Sequence, residues 1–110
     1  MRPVLHGDVV AAARALRLAP PGVRAALIGR LIAEADLADR WRRRTGRAHP
    51  RTGNGSLMAA AAAWPQAPEP FLSDADYLDC LRIVIEALIA RRARHARGAT
   101  APLAPGPETG

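Results

Sequence analysis

Arg40, Arg42, Arg43, Arg44, Arg47 and Arg51 fall within twelve residues, and no carboxylate lies among them. Each guanidinium carries a permanent charge and a planar fork of donors that matches phosphate and carboxylate oxygens. Their mutual repulsion costs stability, so the cluster asks for an anionic partner. Contacts of this kind hold a phosphate backbone without reading bases. A plainer account makes it a solvated helix end relieved by Glu34, Asp36 and Asp39 on the preceding turns. Trp41 sits inside the cluster and could stack on a base, although a tryptophan in such a place more commonly closes the core edge of its helix.

Other candidate chemistry is thin. Gly53-Asn54-Gly55-Ser56 leads into a helix start, a place that favours anions, but it lacks the Gly-Lys-Ser/Thr of a phosphate loop and reads more simply as a turn with an N-cap. His6, His49 and His95 are far apart and share no zinc-site spacing with the lone Cys80. Cys80 has no evident base beside it, so a small packed residue is expected there. The sequence therefore predicts a non-enzymatic protein with no catalytic residues, no metal site and no cofactor.

The chain has 110 residues and a formal net charge of +6, and every basic residue among its 16 Lys+Arg is arginine. That balance favours a polyanionic partner, nucleic acid first and an acidic protein face second. One domain is the most this length allows. Aromatics are only 4% of the chain, so the core is thin and oligomerisation would help it. One cysteine rules out an intrachain disulfide framework. The amino-terminal stretch lacks the apolar run of a signal peptide, and no segment is apolar enough to span a bilayer, which leads to the expectation of a cytoplasmic protein without membrane contact.

The elements that must position the arginines read as all-α. Asp8 is the expected N-cap of a first helix over about 8–18, and Pro20-Pro21-Gly22 separates it from a second over about 21–45. In that second helix Val23, Leu27, Leu31, Ala35 and Ala38 recur at spacings of three or four, with Ile28 and Ile32 alongside and Gly46 as C-cap. The cluster thus begins in its last turns, where cations also suit the helix dipole, and continues into a loop over 47–56. Ser56 is placed to cap a short third helix from Leu57 to about Trp64, after which Pro65, Pro68 and Pro70 impose an extended linker. Ser73 opens a last helix over about 73–97, with Asp76 in a partial capping box. Leu78, Leu81, Ile85 and Leu88 follow its three-four spacing, widened by Tyr77, Val84 and Ile89. Arg91, Arg92, Arg94, His95 and Arg97 form its basic end before Gly98. The expectation is a helical domain over 1–97, with the two long helices as an antiparallel hairpin, and a disordered Pro/Gly/Ala-rich tail over 98–110.

Three stretches, MRPVLHGDVVAAARAL, ADRWRRRTGRAHPRTGNGSLMAAA and EPFLSDADYLDCLRIVIEALIARR, together resemble the short basic helical proteins encoded with gene transfer agents, phage-derived particles that package host DNA. The resemblance is to the small terminase subunit and covers about residues 1–97. It implies a ring-forming homo-oligomer that holds DNA and presents it to a large terminase, which supplies the ATPase and nuclease. The first helix is too short to be a complete helix-turn-helix recognition domain, so the DNA contact implied is non-specific. On this reading the arginine cluster touches DNA, Leu27, Leu31, Leu78, Leu81, Ile85 and Leu88 make the hairpin and subunit contacts, and the tail with Leu103 docks the large subunit. The competing expectation is an adaptor whose basic face docks an acidic protein and never touches DNA.

Overall fold

The computed structural model describes residues 1–100 and, as expected, is all-α, with no strand among the described residues. Four α-helices follow in order: α1 (His6–Arg17), α2 (Arg24–Thr45), α3 (Leu57–Ala62) and α4 (Ala75–Thr100). A 3-10 turn over Pro21–Val23 leads into α2, where the missing proline N–H and its fixed φ cost nothing. Residues 101–110, which hold most of the expected tail and Leu103, lie outside the described residues. Helix α4 runs through Gly98, where the sequence predicts a stop.

Helix α1 lies at the centre. Ala11, Ala12, Ala13, Ala15 and Leu16 are all buried, and α1 packs against α2, α3 and α4 alike. Its alanines let three helices approach closely. The core is completed by Ile28, Leu31 and Ile32 from α2, Leu57 and Ala61 from α3, and Tyr77, Cys80 and Val84 from α4.

Two of the three N-caps differ from the expected ones, while Gly46 ends α2 as its expected C-cap. Asp8 is not the N-cap of α1; the helix starts after Leu5, and Asp8 occupies the third helical position. Its carboxylate accepts the Leu5 N–H at 2.7 Å and, with its other oxygen, the Met58 N–H of α3 at 2.9 Å. One buried carboxylate thereby satisfies orphan donors at two helix starts. Ser56 caps α3 as expected, accepting from Ala59 at 3.0 Å. In α4 the cap is Asp74 rather than Ser73: its carboxylate accepts the Tyr77 N–H and its carbonyl the Leu78 N–H. Asp76 is turned to other use, pairing with Arg24.

Arg24, buried at the start of α2, joins three elements. Its Nε donates to the Ala19 carbonyl, Nη2 to the Arg17 carbonyl, and both terminal nitrogens to Asp76. Carbonyls at and just beyond the end of α1 are satisfied by the same side chain.

The long helices are not an antiparallel hairpin. Arg24 pairs with Asp76 near the start of both helices, and Asp36 pairs with Arg91 well along both, each at 2.7 Å. From Arg24 to Asp36 is about 18 Å of rise and from Asp76 to Arg91 about 22 Å. Both pairs can close only if α2 and α4 run in the same direction. Helix α1 runs against them: its end meets the start of α4 through Arg17 and Asp74 at 2.7 Å, and the chain before it reaches Asp36 through Met1. The short helices α1 and α3 take the opposing directions between the long ones. Sequence spacing is blind to this, because a 3.6-residue period marks a buried face and not its partner's direction.

The buried stripe of α4 is also rotated from the expected one. Tyr77, Cys80 and Val84 are in the core, while Leu81 and Leu88 are half-buried and Leu78, Ile85 and Ile89 remain exposed. In α2, Leu31 is fully enclosed in the chain's own core, and Leu27 is packed partly against it.

Candidate nucleic-acid interface

Parallel long helices bring two basic segments to one pole. The last turns of α2 supply Arg40, Arg42, Arg43 and Arg44, and the last turns of α4 supply Arg91, Arg92, Arg94 and His95. Arg40, Arg43, Arg91 and His95 line one cleft between the two helices, with Asp36 and Asp39 also in its wall. Arg2, Arg92 and His95 line the recess next to it. An antiparallel pair would have placed these segments at opposite ends of the molecule, so the convergence was not legible from the sequence.

The cluster itself divides by role. Arg42 is half-buried and donates to Asp39 at 2.8 Å, and Arg43 reaches the other oxygen of Asp39 at 3.0 Å. Asp39 is buried, contrary to its expected place on the outer face. It also lies 3.3 Å from the Met1 ammonium, which sits 2.6 Å from Asp36. The hydrogen bond from Arg42, helped by the ammonium and Arg43, holds the Asp39 carboxyl below its ordinary range despite burial. At Asp36 burial alone would raise the value, but Arg91 and the ammonium together bring it below the ordinary range. These two acids are committed to structure and offset only part of the local positive charge.

Arg40, Arg44, Arg47 and Arg51 are exposed, and among the described residues none has a carboxylate within 4 Å. Arg51 stands apart. The loop over 47–56 folds back on itself through a two-way hydrogen bond between His49 and Gly53, at 2.7 and 3.1 Å. Arg51 then shares a recess with Arg30 and Glu34 of α2 and with Trp64 beyond α3, away from the α2–α4 cleft. His49 Nδ1 accepts the N–H groups of Arg51 and Thr52, and its ring meets Trp41 edge-on at 5.2 Å. Half-buried Trp41 therefore anchors the arginine loop, a use that neither the stacking nor the core-edge expectation contained.

The glycine-rich turn has a structural task as well. Gly55 adopts φ +96°, and a Cβ there would stand 2.8 Å from the Asp39 backbone. The anion at the start of α3 is the chain's own Asp8 carboxylate. Cys80 is buried, and burial pushes its thiol pKa up, away from the thiolate a nucleophile needs. No group of His, Cys, Asp and Glu suited to a metal ion occurs among the described residues, and no helix there is long and apolar enough to cross a membrane.

Helix dipoles do not cancel this positive pole. Two C-termini contribute roughly −0.5 charge each, and the starts of α1 and α3, which point to the same end, contribute roughly the opposite. The field is left to the side chains, where exposed arginines outnumber the two committed aspartates.

A family model described as a domain of unknown function, DUF7742, matches residues 2–88. The chain belongs to that family. No curated protein and no solved structure matches it significantly. The matched region contains the whole Arg40–Arg51 cluster and ends just before Arg91.

Proposed function

We propose that this DUF7742 protein is a non-enzymatic, small terminase-like DNA-packaging subunit that holds DNA non-specifically through its basic pole. The observation that carries the reading is the parallel course of α2 and α4, which gathers their two arginine-rich ends on one surface. Exposed, unneutralised guanidinium groups suit phosphates, and α1, enclosed by the other three helices, is not free to enter a groove. The packaging setting comes from the resemblance to the small terminase of gene transfer agents. In that setting the protein works as a homo-oligomer, a ring in the proteins it resembles, and passes DNA to a large terminase.

The test is DNA binding across a salt series, comparing wild type with an Arg40/Arg44/Arg47→Ala variant. These arginines are exposed and outside the Asp39 network, so the variant should fold as the wild type does. Every phosphate that is no longer neutralised should flatten the slope of log affinity against log salt by about 0.9 for duplex DNA. Equal affinity and equal slope would remove the pole from the interface. No DNA retention at physiological salt, with retention of an acidic protein instead, would favour the adaptor reading.

A further inference from the structure

The pole opposite the arginines carries an apolar knob and an apolar groove. Phe71 is 88% exposed and Leu72 66%, in the linker just before α4. This linker is not loose. Ala67 N–H donates to the Arg14 carbonyl and Arg14 Nε returns a bond to the Ala67 carbonyl, while Asp74, hydrogen-bonded to the Phe71 carbonyl, is clamped by Arg17. A rigidly presented, almost fully solvated phenylalanine marks a contact surface.

The groove lies at the α1–α2 corner and measures about 500 Å³. Ala15, Leu18, Val23, Leu27 and Trp64 line it, and Arg30 stands at its rim, stacked on Trp64 at 4.9 Å. We infer that the Phe71–Leu72 knob of a second copy of this chain seats in this groove. Charge complementarity favours this occupant. Glu69, two residues before Phe71, is exposed with no basic group within 4 Å among the described residues, and at the groove Arg30 holds Glu34 through Nε at 3.0 Å while its two terminal nitrogens donate to no group among the described residues. Knob and groove sit toward the same pole, so two copies can exchange them reciprocally about one two-fold axis. Both basic poles would then face outward.

A buried phenylalanine removes about 150–250 Å² from water, and a stable interface needs about 800 Å² per partner. Exposed Leu18, Val23 and Leu78 at the same pole must therefore share the contact, and the association is concentration-dependent.

The inference goes beyond the DNA reading and fails separately from it. Light scattering after size exclusion should give a mass that rises toward twice that of the chain with concentration. Phe71→Ser, and separately Val23→Glu, should return it to one chain with an unchanged helical spectrum and an unchanged DNA salt slope per chain. Glu69→Arg alone and Arg30→Glu alone should each weaken association, because both contacts of each homodimer then oppose like charges, and an equimolar mixture of the two should restore it, because the mixed dimer re-forms an opposite-charge pair at both reciprocal contacts. A wild type that stays monomeric, an oligomer that survives both Phe71→Ser and Val23→Glu, or a mixture without restoration overturns the inference.

Discussion

The Arg91 guanidinium clamps the Asp36 carboxylate in two bonds, 2.7 Å from Nη2 and 3.3 Å from Nε, tying α4 to α2 across 55 positions of the chain. The pair sits at the edge of the basic pole, so Asp36 acts twice. It holds the helices in parallel, and it subtracts one positive charge from the surface that would meet phosphate.

These two roles separate in an Asp36→Asn variant. Removing the charged bonds to Arg91 and Met1 should cost about 1–3 kcal/mol of stability in urea unfolding. DNA affinity at low salt should nevertheless rise, because a carboxylate has left the pole and freed Arg91. A drop in stability with weaker DNA binding would place the DNA contact elsewhere.

Arg42 and Arg44 are near neighbours in sequence with separate fates. Arg42 lies against Asp39, while Arg44 is exposed with no acid within 4 Å. Arg42→Ala should lower stability by about 1 kcal/mol, the pair being partly screened by solvent. Arg44→Ala should leave the melting temperature unchanged and weaken DNA binding. Thermal unfolding and anisotropy on the same two variants check the division.

What the sequence could reveal follows from what its patterns encode. The apolar spacing of Leu31, Ala35 and Ala38 and the stop at Gly46 locate α2, because burial and capping are local. In α4 the predicted stripe of Leu78, Leu81, Ile85 and Leu88, widened by Tyr77, Val84 and Ile89, is too broad to lie wholly inside: Leu81 and Leu88 are half-buried and Leu78, Ile85 and Ile89 are exposed. Tyr77 and Val84 face the core instead, because a central alanine-rich α1 leaves room for Tyr77. The cluster's arginines are legible as a composition, but the pattern puts Asp39 wrongly on the outer face. Its burial depends on the Met1 ammonium and Gly55 closing over it, contacts between residues remote in sequence. The meeting of Arg40 and Arg91 depends on helix direction, which an antiparallel hairpin would reverse.

Two glycines give opposite expectations from one substitution. Gly29 lies on the exposed face of α2 with open space around its Cα, so Gly29→Ala should raise stability by about 1 kcal/mol through helix propensity. Gly55→Ala faces a left-handed φ of +96° and a 2.8 Å clash with the Asp39 backbone, and should cost more than about 1 kcal/mol. Comparing the two denaturation midpoints with wild type checks both signs.

Acid should unfold the protein through its paired aspartates. Asp74 and Asp76 are held below the ordinary carboxylate range by hydrogen bonds from Arg17 and Arg24, and Asp39 by Arg42. At Asp36 the bonds from Arg91 and Met1 outweigh burial. A carboxylate with a depressed folded-state pKa adds stability that is complete above its unfolded value, about 3.9, and is lost as pH falls through the folded value. Stability should therefore hold steady from neutrality to about pH 5 and fall steeply below about pH 4. Replacing Asp39 with Asn should lower the neutral plateau and make the acid decline shallower, since one of the groups that must be protonated is gone. A plateau unchanged by Asp39→Asn in urea titrations at several pH values would mean that the Arg42–Asp39–Met1 network contributes nothing net.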